Sequence, residues 1–308
     1  MKRLNFILAQ ARRMTNNEDP SEDDGIQDSE LIPYVNAGQD RIFGKIVTLH
    51  PGLFEKEAEI DSVSGQEVYD LPRDCFLSNK ITGIEYSSTG DAEDYYPLEK
   101  RYKINRDSGS NGLPGCYILK SGQFIANPIP QDSSGKFRVS YIRDIQHLDL
   151  RRGKVSAVTL NSSTKTITSL TLDVADTNHD QDTLDENDYI CIVDKDGVLQ
   201  MADIDYSAVN SSTGAVTVDS SFVYLTGEEI TVGDYVVVNK NTSTHSELPR
   251  TCERYLIEYL AKKINHRDSS DDFLVSLKEL KDMEDDIVDS FAEVDEDITY
   301  IAEINDDN

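Results

Sequence analysis

The sequence has no tryptophan, few basic residues and no long apolar run. Of its 308 residues, 30 are Lys or Arg and 58 are Asp or Glu, so the formal net charge is −28. This excess of acidic residues argues against a protein that binds the phosphates of nucleic acids. No apolar stretch approaches the roughly 20 residues that a membrane span needs, and the run at 6–9 is too short for a signal-peptide core. We therefore expect a soluble, intracellularly made protein with no membrane partner.

Spaced ligand and catalytic motifs are also missing. The four cysteines are far apart and show no CxxC spacing, which favours buried, reduced thiols; they are Cys75, Cys116, Cys191 and Cys252. The sequence contains no nucleophile elbow, phosphate-binding loop or dinucleotide fingerprint. The five histidines form no ligand pattern. We expect no catalytic, cofactor or metal site, although a hydrolase with paired carboxylates stays open because such pairs follow no spacing rule.

An acidic stretch at 173–188 partly fits a calcium-binding loop that would begin at Asp176. The fit fails at the sixth position, where Gln181 replaces glycine, and at the twelfth, where Asn187 replaces glutamate. We interpret the stretch as a solvated acidic loop, and a weak adventitious cation site is the alternative.

Two helices are predicted near the start of the chain. Leu4, Ile7 and Leu8 share one face of a helix at 4–14, which is too short to be stable alone. Because its apolar face is narrow and an acidic linker follows, we expect it to dock on a neighbouring molecule rather than on its own core. A second helix is predicted from about 30 to 49, with Ser29 as its N-cap.

Helical periodicity returns after residue 248. Leu248-Pro249 begins one helix, and Ser270 is the expected N-cap of another that extends to about 292. Residues 268–308 contain 16 acidic residues and two lysines, which is half of the formal net charge of the chain.

Between these helices the pattern is that of strands. Short apolar runs separated by Gly, Asp and Pro fill 55–145, and "KSGQ" at 120–123 is typical of a hairpin turn. Residues 151–243 contain an internal repeat, in which 161–168 matches 210–217 and 187–197 matches 233–243. Each unit predicts a hairpin followed by a strand, and two such units would close a small barrel or sandwich.

The predicted fold class is therefore α+β, a helical core with a β region and an inserted all-β barrel or sandwich. The expected segments are a docking helix and acidic linker at 1–28, a core formed by 29–150 and 244–292, the inserted β domain at 151–243, and an acidic tail at 293–308.

Several stretches, in this order along the chain, resemble the head-to-tail adaptor proteins of tailed bacteriophages, in the group related to podovirus tail tubular protein A. They are "LIPYVNAGQDRIFGKI" (31–46), "GQEVYDLPRDCFLSNKITGIEY" (65–86), "YYPLEKRY" (95–102) and "ELPRTCERYLIEYLAKKI" (247–264). The resemblance covers roughly 29–148 and 246–292, and the repeat insertion and the acidic C-terminus depart from a minimal adaptor.

The resemblance implies a non-enzymatic virion protein at the head–tail junction. Its partners would be the portal protein, a tail tube or nozzle protein, and further copies of itself in a ring of twelve. Double-stranded DNA would pass through the ring without specific binding, which suits an acidic wall. Pro72 must end its strand and turn the chain, and we interpret the result as a stiff arm that lies against the next subunit.

Two sets of residues follow as candidates. The subunit or portal interface candidates are Leu4, Ile7, Leu8, Tyr69, Leu71, Pro72, Asp74, Tyr255 and Tyr259. The DNA-channel candidates are Asp282, Asp285, Asp286 and Asp289, and a solvated outer face is the alternative for them. The alternative function is a receptor-binding or decoration protein of the virion that carries a β head domain.

Overall fold

A computed structural model describes residues 3–15, 26–78, 80–91, 93–103, 111–224, 228–268 and 278–291. The chain forms two compact units, one made of 1–45 together with 146–308 and the other of 46–145. Helices and many strands are both present, and the predicted α+β class with an inserted barrel is confirmed.

Five helices lie in the described residues. They are α1 (Leu4–Met14), α2 (Asp28–Leu49), α3 (Gln181–Asp185), α4 (Glu253–Asp268) and α5 (278–291), with 3-10 turns at Pro51–Phe54, Phe76–Ser78 and Arg250–Cys252. The N-cap prediction at Ser29 is wrong, because Ser29 lies inside α2, which begins at Asp28, and the amide of Glu30 already donates to the carbonyl oxygen of Gln27. The predicted N-cap Ser270 lies outside the described residues.

The unit 46–145 is built from strands. They are β1 (Glu55–Asp61), β2 (Val68–Asp70), β3 (Ile81–Ser87), β4 (Tyr96–Pro97), β5 (Glu99–Lys100), β6 (Asn111–Gly112), β7 (Cys116–Lys120), β8 (Gln123–Asn127), β9 (Ile129–Pro130) and β10 (Lys136–Ile142). One sheet has the order β1-β10-β3-β4 and another the order β2-β8-β7-β5. The predicted turn at 120–123 is confirmed, since Ser121 and Gly122 join β7 to β8 with positive φ.

A single buried cluster unites the side chains of these two sheets. Tyr69, Phe124 and Phe137 pack together at its centre, with ring centroids 4.8–5.2 Å apart, and Tyr69 stacks on Phe124. Aromatic rings bury large apolar areas, so this cluster supplies much of the hydrophobic stabilisation of the unit.

The other unit contains a closed barrel with the strand order β12-β13-β16-β15-β14-β17. Its strands are β12 (Gly153–Asn161), β13 (Thr166–Leu172), β14 (Tyr189–Val193), β15 (Leu199–Val209), β16 (Ala215–Val218) and β17 (Tyr235–Val238). Outside the barrel, β11 (His147–Leu148) pairs in parallel with β18 (Thr242–Ser243), so the chain enters and leaves the barrel side by side.

The internal repeat is visible as equivalent structure. Asn161 accepts hydrogen bonds from the amides of Ser163 and Thr164, and Asn210 accepts the equivalent bonds from Ser212 and Thr213, all at 3.0–3.1 Å. The later repeat segments form β14 and β17, which pair antiparallel with each other. Each repeat contributes a hairpin and one strand to the barrel.

The expectation that α1 docks outside its own core is wrong. Leu4, Ile7 and Leu8 are at most 3% exposed within the single chain. The helix packs against α4, and the amide of Leu4 donates to the carbonyl oxygen of Thr244 at 3.0 Å. The C-terminal segment covers the narrow face that sequence reasoning left without an internal partner.

Two further expectations can be compared with the structure. All four cysteines are buried free thiols, as predicted. Among the described residues, no helix combines the length and hydrophobicity that crossing a bilayer requires.

Candidate functional site

The corner at Pro72 connects the two sheets of the unit 46–145. After β2, the amide of Leu71 donates to the carbonyl oxygen of Gly122, and the amide of Cys75 donates to that of Pro72 in a tight turn. The chain then resumes as β3 in the other sheet. Proline cannot donate to a sheet ladder, so β2 ends here as predicted. The corner is a crossing between sheets, and the interpretation as a projecting arm is wrong.

Tyr69 and Leu71 are interface candidates that stabilise their own unit. They are 3% and 8% exposed and belong to the cluster that unites the two sheets. Their side chains are therefore not available to a neighbouring subunit. Pro72, in contrast, is half-buried.

Asp74 fixes the geometry of the corner. Its carboxylate accepts hydrogen bonds from the hydroxyl of Tyr141 at 2.7 Å and from the ammonium of Lys56 at 2.8 Å. Its carbonyl oxygen accepts from the amide of Asp144. Burial raises the pKa of Tyr141, and the hydrogen bond to Asp74 raises it further. Asp74 thus anchors the corner to the strands around it.

Tyr255 and Tyr259 of the late helix also face inward. Tyr255 is fully buried, and a Cβ added at Gly38 would lie only 2.7 Å from the ring of Tyr259. Gly38 therefore allows α2 to approach α4 closely. The two tyrosines hold helices together inside the chain and do not present an open surface.

A buried carboxylate that sequence reasoning missed joins three helices. Glu284 of α5 has no exposed surface. Its oxygens lie 2.5 Å from Nε of Arg41, 2.6 Å from Nζ of Lys45 and 2.8 Å from the hydroxyl of Tyr255. The available signal was its position on the apolar stripe of α5, between Leu280 and Ile287.

The environment of Glu284 keeps it ionised. Burial alone would raise its pKa, but the hydrogen bonds from Lys45, Arg41 and Tyr255 outweigh that effect and lower the pKa below 4.5. The pKa values of Arg41 and Lys45 are raised, which is the reciprocal effect. A buried charge with this many partners is a structural anchor.

The four DNA-channel candidates lie on the opposite, exposed side of α5. Asp282, Asp285, Asp286 and Asp289 are all solvent-exposed. Asp285 also lies 3.3 Å from Nζ of Lys45. The helix therefore has one buried anchoring face and one face of concentrated negative charge.

The acidic stretch 173–188 is held by arginines. Asp176 pairs with Arg151, and Arg152 bridges Asp149 and Asp180 at 2.8 Å each. Asp180 also caps α3. The prediction of a solvated acidic loop is wrong for Asp176, whose side chain is 9% exposed. No group of three potential metal ligands occurs in the part of the chain that the structure describes.

Comparison with known proteins adds one finding. A family model described as SU10 adaptor protein matches residues 4–182, more than half of the chain. The matched segment includes α1, α2, the whole unit 46–145 and the first two strands of the barrel. No curated protein matches the sequence.

Proposed function

The chain belongs to the SU10 adaptor protein family, and on that premise we propose that it forms the ring joining the portal to the tail of a phage. Membership makes it a phage adaptor and a structural component of a virion. The observation that carries the finer proposal is the family match at 4–182, which covers three of the four stretches that resemble head-to-tail adaptors, namely 31–46, 65–86 and 95–102. The specific relation to podovirus tail tubular protein A is part of the same proposal.

In the proposed assembly, twelve copies surround a channel that continues the portal channel. One side of the ring contacts the portal protein, and the other contacts a tail tube or nozzle protein. A ring requires a head-to-tail contact that uses two different surfaces of each copy. The pair of compact units in each chain is suited to this arrangement, because each can carry one of these surfaces.

The electrostatics suit DNA that passes without binding. We propose that Asp282, Asp285, Asp286 and Asp289 contribute negative potential at the channel or its mouth, since a like-charged wall repels phosphates. Screening limits this effect to about 10 Å at moderate salt. Changing all four to Asn should slow DNA exit at low salt. Normal ejection by the variant at every ionic strength would exclude this role.

The ring itself is tested by imaging the purified chain with portal particles. We expect one ring on each portal, at a single vertex of the capsid.

The second candidate, a receptor-binding or decoration protein, is favoured by one observation, the closed barrel within the chain. It predicts trimeric fibres or many copies spread over the capsid instead of a single ring.

A further inference from the structure

One edge of the unit 46–145 is basic and aromatic, although the chain as a whole is strongly acidic. Strand β5 is the edge of the sheet β2-β8-β7-β5, and the chain continues from it as Arg101-Tyr102-Lys103. All these residues are exposed, as are Lys100 of β5 and Lys120 at the end of β7. The side chain of Tyr102 is 94% exposed.

The sheet geometry brings these residues to one edge. Lys100 pairs in parallel with Tyr117, and the amide of Arg101 donates to the carbonyl oxygen of Tyr117 at 2.8 Å. The chain beyond β5 therefore runs in the direction of Lys120. Lys120 lies three residues after Tyr117 on β7, or about 10 Å at roughly 3.3 Å per residue. Arg101 pairs with Glu99 at 2.6 Å.

The three lysines of this edge have no acidic partner among the residues that the structure describes. Lys100, Lys103 and Lys120 form no ion pair with any residue that the structure describes. Lysine on an edge strand can merely prevent unwanted strand pairing. Preventing strand pairing does not require an exposed aromatic ring such as that of Tyr102. Tyrosine is instead enriched in protein interfaces and their hot spots. We call Lys100, Tyr102, Lys103 and Lys120 the basic edge.

A surface of opposite charge occurs at α3 and the loop that follows it, between two strands of the barrel. Asp182, Asp185, Glu186 and Asp188 lie within seven residues and are all exposed. None of them pairs with a lysine or arginine among the described residues. We call these four carboxylates the acidic segment.

The charge difference between the two units supports a contact between the basic edge and the acidic segment. The unit 46–145 has 15 acidic and 11 basic residues, whereas the remainder of the chain has 43 and 19. The basic edge thus belongs to the nearly neutral unit, and the acidic segment to the strongly negative one. Complementary potentials of this kind steer partners together and fix their register.

We propose that the basic edge of one copy docks on the acidic segment of the next copy. The proposal rests on the proposed ring, because it assigns the two unlike surfaces that a head-to-tail contact needs. A phosphate backbone is the competing occupant of a basic, aromatic edge. A second copy is favoured because the chain itself supplies a matched acidic surface.

Charge reversal of the full chain tests the proposal. Variant A carries Lys100→Glu, Lys103→Glu and Lys120→Glu, and variant B carries Asp182→Lys, Asp185→Lys and Glu186→Lys. A matched control, with the same charge change as variant A, carries Lys80→Glu, Lys278→Glu and Lys281→Glu at other exposed lysines. Assembly is measured by native mass spectrometry and sedimentation, alone and with portal particles, and circular dichroism checks the fold of each variant.

We expect variants A and B each to assemble at least about tenfold more weakly than the wild type, and the control to assemble normally. A one-to-one mixture of A and B should restore the ring, because each new contact then joins opposite charges. Normal assembly of variant A at all salt concentrations would overturn the inference while leaving the ring intact. If variant A assembles normally but retains DNA differently from the wild type, the basic edge contacts DNA instead of a second copy. If the wild type forms no ring even on portal particles, the proposed function itself fails.

Discussion

At the scale of single residues, Glu284 illustrates how this acidic chain uses one of its carboxylates for stability. A buried charge is costly unless several partners compensate it, and Glu284 has Arg41, Lys45 and Tyr255. Asp285, next to it in sequence, is 57% exposed, and its one ion-pair partner in the described part of the chain is Lys45. Adjacent carboxylates therefore have different roles, which their positions on α5 determine.

Replacing Glu284 by Gln should lower the free energy of unfolding by about 2 kcal/mol, because two cations lose their buried counter-charge. The matched change Asp285→Asn should cost less than about 0.5 kcal/mol, since exposed ion pairs contribute little. Urea unfolding measures both. Equal effects of the two variants would contradict the anchoring role of Glu284.

The same carboxylate gives a pH dependence with a defined sign. Because folding lowers the pKa of Glu284, its contribution is fully present above 4.5, the ordinary value, and is lost as pH falls through the folded-state pKa. The stability advantage of the wild type over the Glu284→Gln variant should therefore begin to decline as the pH falls below about 4.5 and disappear only below the lowered folded-state pKa. Thermal unfolding of both proteins from about pH 3 to 7 measures this, and a constant difference would argue against the ionised state.

The repeat provides a second test at residue scale. Gly214 and Lys165 occupy equivalent turn positions, with φ of 71° and 56°. A Cβ at Gly214 would collide with the carbonyl oxygen of Leu172. Gly214→Ala should therefore cost about 2 kcal/mol or more, whereas Lys165→Gly should relieve left-handed strain and be neutral or stabilising. The opposite order in urea unfolding would contradict this account of the turns.

At the scale of elements, α1 is an integral part of its unit. Ile7 is fully buried, while its neighbour Phe6 is 37% exposed. Ile7→Ala should destabilise the monomer by about 3 kcal/mol through the cavity that it leaves, and Phe6→Ala by less than about 1 kcal/mol. Unfolding of the isolated chain measures both. If Ile7→Ala leaves the stability of the monomer unchanged but weakens assembly, α1 docks on a neighbouring molecule, as the sequence predicted.

The barrel is predicted to be separable, because β11 and β18 bring its entry and exit together. Replacing 152–241 by a short Gly-Ser linker, with Asp149→Asn to remove the charge that Arg152 neutralises, should leave a soluble remainder. Circular dichroism should show a higher helical fraction and a cooperative transition. Complete unfolding of the remainder would show that the barrel is required by the rest of its unit.

The sequence predicted those elements whose signals are local. Periodicity located α2 and α4, proline ended β2, and self-comparison identified the two halves of the barrel. It could not show what covers α1, because the segment that packs on it lies some 240 residues away. The apolar stripe of α5 could have indicated that Glu284 is buried, but the sequence could not show which cations compensate its charge, since they come from another helix. Nor did it distinguish a projecting arm from a crossing between sheets, which depends on long-range strand pairing.

At the scale of the whole molecule, the negative charge is distributed unevenly along the chain. Most of the net charge of −28 belongs to the residues outside 46–145, and four exposed carboxylates lie on one face of α5. High negative charge keeps copies soluble and disfavours phosphate binding. Together with membership of the adaptor family, this supports a ring through which DNA passes.

A density map of the full chain bound to portal particles tests this central claim most directly. The account predicts one ring of twelve copies per portal, coaxial with its channel, with Asp282, Asp285, Asp286 and Asp289 directed toward the opening. If the ring is present but these four carboxylates are directed outward, only their proposed role at the channel is excluded. Trimeric fibres, or copies distributed over the capsid with none at the portal, would contradict the account.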